Sequence, residues 1–295
     1  MKNNELLIGS HVSMNAPDFF LGSVREAMEY GSTAFMFYTG APQNSYRVPL
    51  EKLKIEEGKA LLKEAGIDES HLVVHAPYII NPANKSREDL FDMSIKTIIN
   101  ELQRSSAFGA TMLVLHPGAH VKMGEEFAIN SLIEALDTVL ENDGTNVRIA
   151  IETMAGKGTE IGITFEQVRA IIDGCKHKDR LGVCLDTCHV SDGGYDIQDV
   201  DGLLKQFDEI IGLDRLLVVH LNDSKNPRGS HKDRHENLGY GEIGFETLYK
   251  IAHHPLLANI PKILETPYIN EKPPYKQEIQ MLKDGKYVNG WRENF

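Results

Sequence analysis

Short apolar runs, each ending in polar residues, recur along the whole chain. They are LLIGSHVS (6–13), AFMFYTG (34–40), LVVHAPY (72–78), MLVLHPG (112–118), RIAIETM (148–154), LGVCLDTCH (181–189), LLVVHLND (216–223) and KILETP (262–267). Their centres lie about 30 to 45 residues apart, the length of one strand plus one helix. Between the runs the apolar period lengthens. SLIEALDTVLEN (131–142) puts Leu132, Ile133, Leu136, Val139 and Leu140 on one helical face. The stretch from Asp89 to Phe108 and the segment 164–175 read the same way, and Thr164 with Gln167 predicts a capping box.

Near-continuous apolar strands alternating with amphipathic helices predict a parallel sheet covered by helices. Eight such units predict an α/β fold, a closed (β/α)8 TIM barrel, rather than an open doubly wound sheet. A G-x-G-x-x-G turn after the first run would favour the open sheet, but the turn reads GSHVSM (9–14). No linker of different composition divides the chain, so residues 1–295 are expected to form a single barrel domain.

Composition is that of an ordinary globular chain, 41% hydrophobic and 25% charged. The start, MKNNELLIGSHVS, holds too short an apolar run for a signal peptide or an anchor. No stretch approaches the roughly 18 apolar residues of a membrane helix, so no membrane partner is expected. Three cysteines, an odd count, argue for a reducing, cytoplasmic setting over a disulfide framework. Cys184 and Cys188 stand four apart, not in C-x-x-C spacing, and are expected to be buried thiols. The formal net charge of −12 argues against a nucleic-acid binder unless bound divalent cations add positive charge.

The polar ends of the runs supply those cations with ligands. They are His11, Tyr38, His75, His116, Glu152, Asp186 with His189, His220 with Asp223, and Glu265. In a barrel the carboxyl ends of all strands face one basin. A single strand-end histidine is most often structural. This many acids and imidazoles in one basin would repel or stay unsatisfied without a metal. Nitrogen and oxygen donors without thiolate suit zinc, manganese or iron, and a carboxylate such as Glu152 can bridge two ions. In SHKDRHENLG (230–239), Asp233 and His235 are two apart, which in an extended segment puts them on one side.

Eight motifs then fall into a familiar order. GSHVS (9–13), TGAPQN (39–44), HAPY (75–78), HPGAH (116–120), IETMAGKG (151–158), LDTCHVSDGGYD (185–196), HLNDSKNPRGSHKDRHENLGYGEIG (220–244) and LETP (264–267) span essentially the whole chain. Together they resemble the endonuclease IV family, the metal-dependent abasic-site endonucleases.

That resemblance implies three zinc ions, one or more replaceable by manganese or iron. His75 and His116 would hold one and share Glu152 with a second. The second would also take Asp186, His220 and Glu265, while His189, Asp233 and His235 would hold the third. Three divalent ions would halve the formal negative charge of −12. The implied reaction is hydrolysis of the phosphodiester 5′ of an abasic site in double-stranded DNA, leaving a 3′-hydroxyl and a 5′-deoxyribose phosphate. Trimming of 3′ ends is a further implied activity. Glu152 would be a bridging ligand and is also a candidate base toward the attacking water.

The implied DNA contacts are Tyr78 as a gap-filling aromatic with Ile79 beside it, Gln43 and Asn44 in the minor groove, and either Tyr46 or Arg47 as a wedge. Arg234, with Lys157, Lys225, Arg228 and Lys232, is a candidate for the phosphates. His120 and His231 are expected to be bystanders. The enzyme is expected to act as a monomer in the cytoplasm, on the nucleoid. A divalent-metal sugar isomerase or epimerase of the xylose isomerase-like type is the rival reading. It uses similar strand-end residues, but one or two ions suffice for it and the D-x-H arm is left unexplained. A catalytically silent metal- or damage-binding protein is a third reading, disfavoured by a complete ligand set.

Overall fold

Every one of the eight apolar runs contains a strand in a computed structural model that describes residues 6–295. The expectation that the amino terminus is neither leader nor anchor falls partly on residues 1–5, outside the described residues. The strands are β1 (Ile8–Ser10), β2 (Phe35–Phe37), β3 (Leu72–His75), β4 (Met112–Leu115), β5 (Arg148–Glu152), β6 (Leu181–Asp186), β7 (Leu216–His220) and β10 (Lys262–Leu264). All pair in parallel in the order β1-β10-β7-β6-β5-β4-β3-β2. A parallel bridge from His11 to Met36 joins the first strand to the second and closes the ring. The fold is the predicted (β/α)8 barrel. A small antiparallel ribbon, β8 (Asp223–Ser224) with β9 (His235–Glu236), stands apart from it.

Alternation along the strands explains the unbroken apolar runs. Met36, Val73, Val114, Ala150, Val218 and Ile263 belong to one buried cluster, while Phe35, Phe37, Val74, Leu113, Ile149 and Ile151 belong to the larger one with the helices. Successive side chains point to opposite faces and both faces are covered, so polar residues appear only where a strand ends.

The covering helices are α1 (Phe19–Tyr30), α2 (Ile55–Ala65), α3 (Glu88–Phe108), α4 (Glu125–Asn142), α5 (Phe165–Gly174), α7 (Val200–Ile210), α8 (Phe245–Ala252) and α9 (Tyr275–Asp284). The three helical segments read from the sequence lie in α3, α4 and α5. At α5, Thr164 Oγ accepts from the Gln167 N–H at 3.2 Å, as a capping box requires. Gln167 does not return to the Thr164 N–H; its Oε1 accepts from Gly162 and Ile163, tying down the preceding loop. After β6 no simple turn follows. Asp186 caps a six-residue helix, α6 (Thr187–Asp192), by accepting the His189 N–H at 2.8 Å. Among the described residues no helix is long and apolar enough to cross a membrane.

One buried charge opposes the fold. Lys262, at the start of β10, is fully buried, and its ammonium donates to the Leu257 carbonyl at 2.5 Å. Burial lowers its pKa from 10.5 to about 8. The folded protein therefore releases a proton that the unfolded chain keeps until pH nears 10.5, so stability gains as pH rises through that window. Lys262→Met is expected to stabilise by about 1–3 kcal/mol at pH 7, with the gain fading toward pH 10. Denaturant melts at both pH values check this, and a loss of stability at pH 7 would refute it.

Candidate metal centre

The site is built from strand ends. His75 closes β3, Glu152 closes β5, Asp186 closes β6 and His220 closes β7; His116 and Glu265 follow β4 and β10 by one residue. The helix α6 supplies His189, and the excursion between β7 and α8 supplies Asp233 and His235. The structure brings all nine together. Donor atoms lie within 4.8 Å of one another in His75, His116 and Glu152, in Glu152, Asp186, His220 and Glu265, and in His189, Asp233 and His235.

Glu152 divides its two oxygens. Oε2 lies 3.3 Å from His75 Nε2 and 3.1 Å from His116 Nε2, while Oε1 lies 3.1 Å from His220 Nδ1. That His220 nitrogen is also 3.0 Å from Glu265 Oε2 and 3.8 Å from Asp186 Oδ2. In the third group His189 Nε2 lies 3.0 Å from Asp233 Oδ1, and His235 Nε2 lies 3.8 Å from the same oxygen and 3.6 Å from Asp186 Oδ2. Two donors each about 2.1 Å from a tetrahedral zinc ion stand about 3.4 Å apart. The observed separations bracket that value. His235 Nε2 is moreover buried without a hydrogen-bond partner, as a ligand nitrogen is before its ion is counted. The donor set fits divalent cations.

Neighbouring groups orient the donors. His75 Nδ1 faces the Ala76 carbonyl at 2.7 Å and His189 Nδ1 faces that of Thr153 at 2.9 Å. With the proton on Nδ1, both rings present Nε2 to the site. Asn222, missed in the sequence, donates to Asp186 Oδ2 at 2.8 Å and Glu265 Oε2 at 3.3 Å, and accepts the Glu265 N–H at 2.8 Å. Its signal was its place in HLND, two residues past His220. Asp223 in that motif turns away from the basin. Its carboxylate accepts the N–H groups of Ser224, Gly239, Gly241, Ile243 and Gly244 and pins the far end of the excursion.

The charges are coupled. Burial opposes ionisation of Glu152, but the imidazoles of His220 and His116 outweigh it and hold the carboxyl well below the usual range. Burial likewise opposes protonation of His189, yet Asp186, Asp233 and Glu152 raise it well above an ordinary imidazole. Divalent ions held here would bring the same positive charge and leave the imidazoles neutral, as ligands must be. Cys184 and Cys188 are buried, and burial first of all pushes the Cys184 thiol up to about 12. Their sulfurs also lie near the ligand groups, Cys184 with Glu152 and His220 and Cys188 with Asp186 and His235.

The rim matches the sequence less evenly. Tyr46 is 74% exposed, Tyr78 56% and Ile79 48%, and Gln43, Asn44 and Arg234 also reach the surface. Arg47 is not presented. Its side chain is only 5% exposed, with Nε 2.5 Å from Glu101 Oε1 and Nη1 donating to the carbonyls of Ala41, Asn44 and Tyr46. Arg47 thus clamps the loop from inside, and of the two residues only Tyr46 is presented to the surface. Asp233 has φ 53°, so it does not share an extended segment with His235; a left-handed turn brings the two together. His231 Nδ1 bonds to the Ala155 carbonyl at 2.7 Å and joins no ligand group among the described residues, nor does His120.

Fold and site together define a xylose isomerase-like TIM barrel, and the family model of that description matches residues 24–285. Within it, the chain is 56% identical over 286 residues to the probable endonuclease 4 of Oceanobacillus iheyensis, covering 95% of each. It is 54% identical over 288 residues to the protein of that name from Staphylococcus saprophyticus, covering 96% of each. It superimposes on the crystal structure of endonuclease IV from Thermus thermophilus with a TM-score of 0.81 and 29% identity, over 98% of this chain and 99% of that one. The chain belongs to the endonuclease IV family and is a nuclease.

Proposed function

We propose that this protein incises double-stranded DNA at abasic sites, hydrolysing the phosphodiester 5′ of the lesion with three zinc ions held by the nine residues above. Manganese or iron can replace zinc at some positions, since the donors are all nitrogen and oxygen. The observation that carries the reading is the division of Glu152, one oxygen toward His75 and His116 and the other toward His220, with a separate His189–Asp233–His235 group beside it. Divalent ions held there would supply an activated water and the charge that stabilises the departing oxygen. Glu152 would hold an ion on each side, one oxygen toward His75 and His116 and the other toward His220, and is also placed to accept the proton of the attacking water.

The remaining residues bind and orient. Extrusion of a nucleotide costs least where no base is stacked, and exposed Tyr78, Ile79 and Tyr46 are suited to fill the gap left behind. Gln43 and Asn44 reach the minor groove, and Arg234 meets phosphate. The same hydrolysis at a blocked terminus accounts for 3′-end trimming. All nine ligands come from one chain, which supports a monomer. Three free, buried cysteines support a cytoplasmic setting on the nucleoid.

A duplex carrying a stable abasic analogue is expected to be nicked without added magnesium. Prolonged chelation should remove the activity and zinc should restore it. An intact duplex after incubation with fully metallated protein would sink the proposal. Elemental analysis is expected to find three ions per chain; one would favour a sugar isomerase.

A further inference from the structure

The excursion that carries Asp233 and His235 rests on the end of α6, and the contact centres on Asp192. This aspartate is fully buried. Its Oδ2 accepts two successive backbone N–H groups, Lys232 at 3.1 Å and Asp233 at 2.8 Å. Its Oδ1 accepts the Ser224 hydroxyl at 3.0 Å. The main chain adds to the seat: the Asp192 carbonyl accepts the His231 N–H at 3.2 Å and the Ser191 carbonyl accepts the Gly229 N–H at 2.9 Å. The carboxylate is thus consumed by the backbone of the arm and by Ser224.

The backbone held there is an unusual one. His231 and Asp233 both have φ 53°, in the left-handed region that L side chains resist. Such residues persist when their surroundings over-determine them. In this turn Asp233 Oδ1 comes to 3.0 Å from His189 Nε2. One short helix therefore presents His189 directly and, three residues later, fixes the residue that His189 must meet.

We propose that Asp192 is a positioning residue for the third ion. It supplies no donor atom to the three ligand groups and acts by holding the Asp233 backbone in the turn that aims the carboxylate. The proposal rests on the three-ion reading above. It also says that geometry, not charge, is what Asp192 contributes. In Asp192→Asn the amide oxygen can still accept both N–H groups, and the amide nitrogen can donate to Ser224 Oγ. In Asp192→Ala both N–H groups lose their partner.

Zinc titration of metal-free wild type, D192A and D192N against a competing chelator tests this, with elemental analysis and amide exchange alongside. Wild type and D192N are expected to bind three zinc ions, the weakest within about threefold of each other. D192A is expected to keep two, to bind the third at least about tenfold more weakly, and to exchange the amides of Lys232 and Asp233 faster while its barrel amides stay protected. D192A holding the third zinc as tightly as wild type would overturn the proposal. So would loss of all three ions together in D192A with the barrel still folded. Should D192A fail to fold, D192N decides: tenfold weaker third-site binding in that variant also overturns it. Fewer than three zinc ions in the wild type is a different failure, that of the three-ion reading, and it is seen before any variant is compared.

Discussion

Glu152→Gln is expected to slow incision of an abasic duplex by about 10³-fold or more, in a protein that still folds. The substitution conserves size at a side chain only 1% exposed. It changes one donor. The glutamate offers an oxygen on each side, toward His75 and His116 on one and toward His220 on the other. A glutamine offers one oxygen and one NH2, and an NH2 donates hydrogen bonds rather than ligating a cation. Whichever way the amide turns, one ion loses its shared ligand. Single-turnover nicking and elemental analysis on the same sample should fall together. Activity within tenfold of wild type would show that the bridge is not needed.

The second large effect separates neighbours in SHKDRHENLG. Asp233→Ala and His235→Ala are each expected to lower incision by about 10³-fold or more, because each removes a donor from the third group. His231→Ala is expected to stay within about tenfold. His231 supplies no donor; it latches the arm to the Ala155 carbonyl, and its ring lies where a Cβ on Gly156 would fall. Loss of that latch loosens the arm without emptying the third group of a ligand, an effect of the size seen for residues that only support a site. The opposite ranking, measured on matched preparations, overturns the assignment.

The barrel was legible because strands buried on both faces leave a run of apolar residues with polar ends, and eight such runs at unit spacing admit few architectures. The strand-end donors were legible for the same reason: His75, Glu152, Asp186 and His220 sit at the last residue of their strands. Where contacts are long-range, local pattern alone misled. Asp223 reads like a ligand, since nothing local reveals five backbone N–H groups converging on it from residues 224 to 244. Arg47 reads as an exposed rim residue until Glu101 is seen beside it, 54 residues away on α3. The available clue was Glu101 itself, an acid on the face of a helix that also buries Ile98 and Leu102. The D-x-H spacing picked out a pair that does gather beside His189, but for an incomplete reason. Extended backbone would have aligned the two residues by alternation, whereas Asp233 adopts a left-handed turn.

Closure of the ring by the His11–Met36 bridge also bears on how copies of the protein meet one another. An open sheet ends in strands whose N–H and C=O groups are free to recruit another chain, the usual start of aggregation. Among the described residues the barrel sheet has no such edge, since each strand is paired on both sides within the ring. Folded copies therefore have no barrel edge to pair through, and the net negative charge, −12 formally and about −6 with three divalent ions bound, keeps them apart.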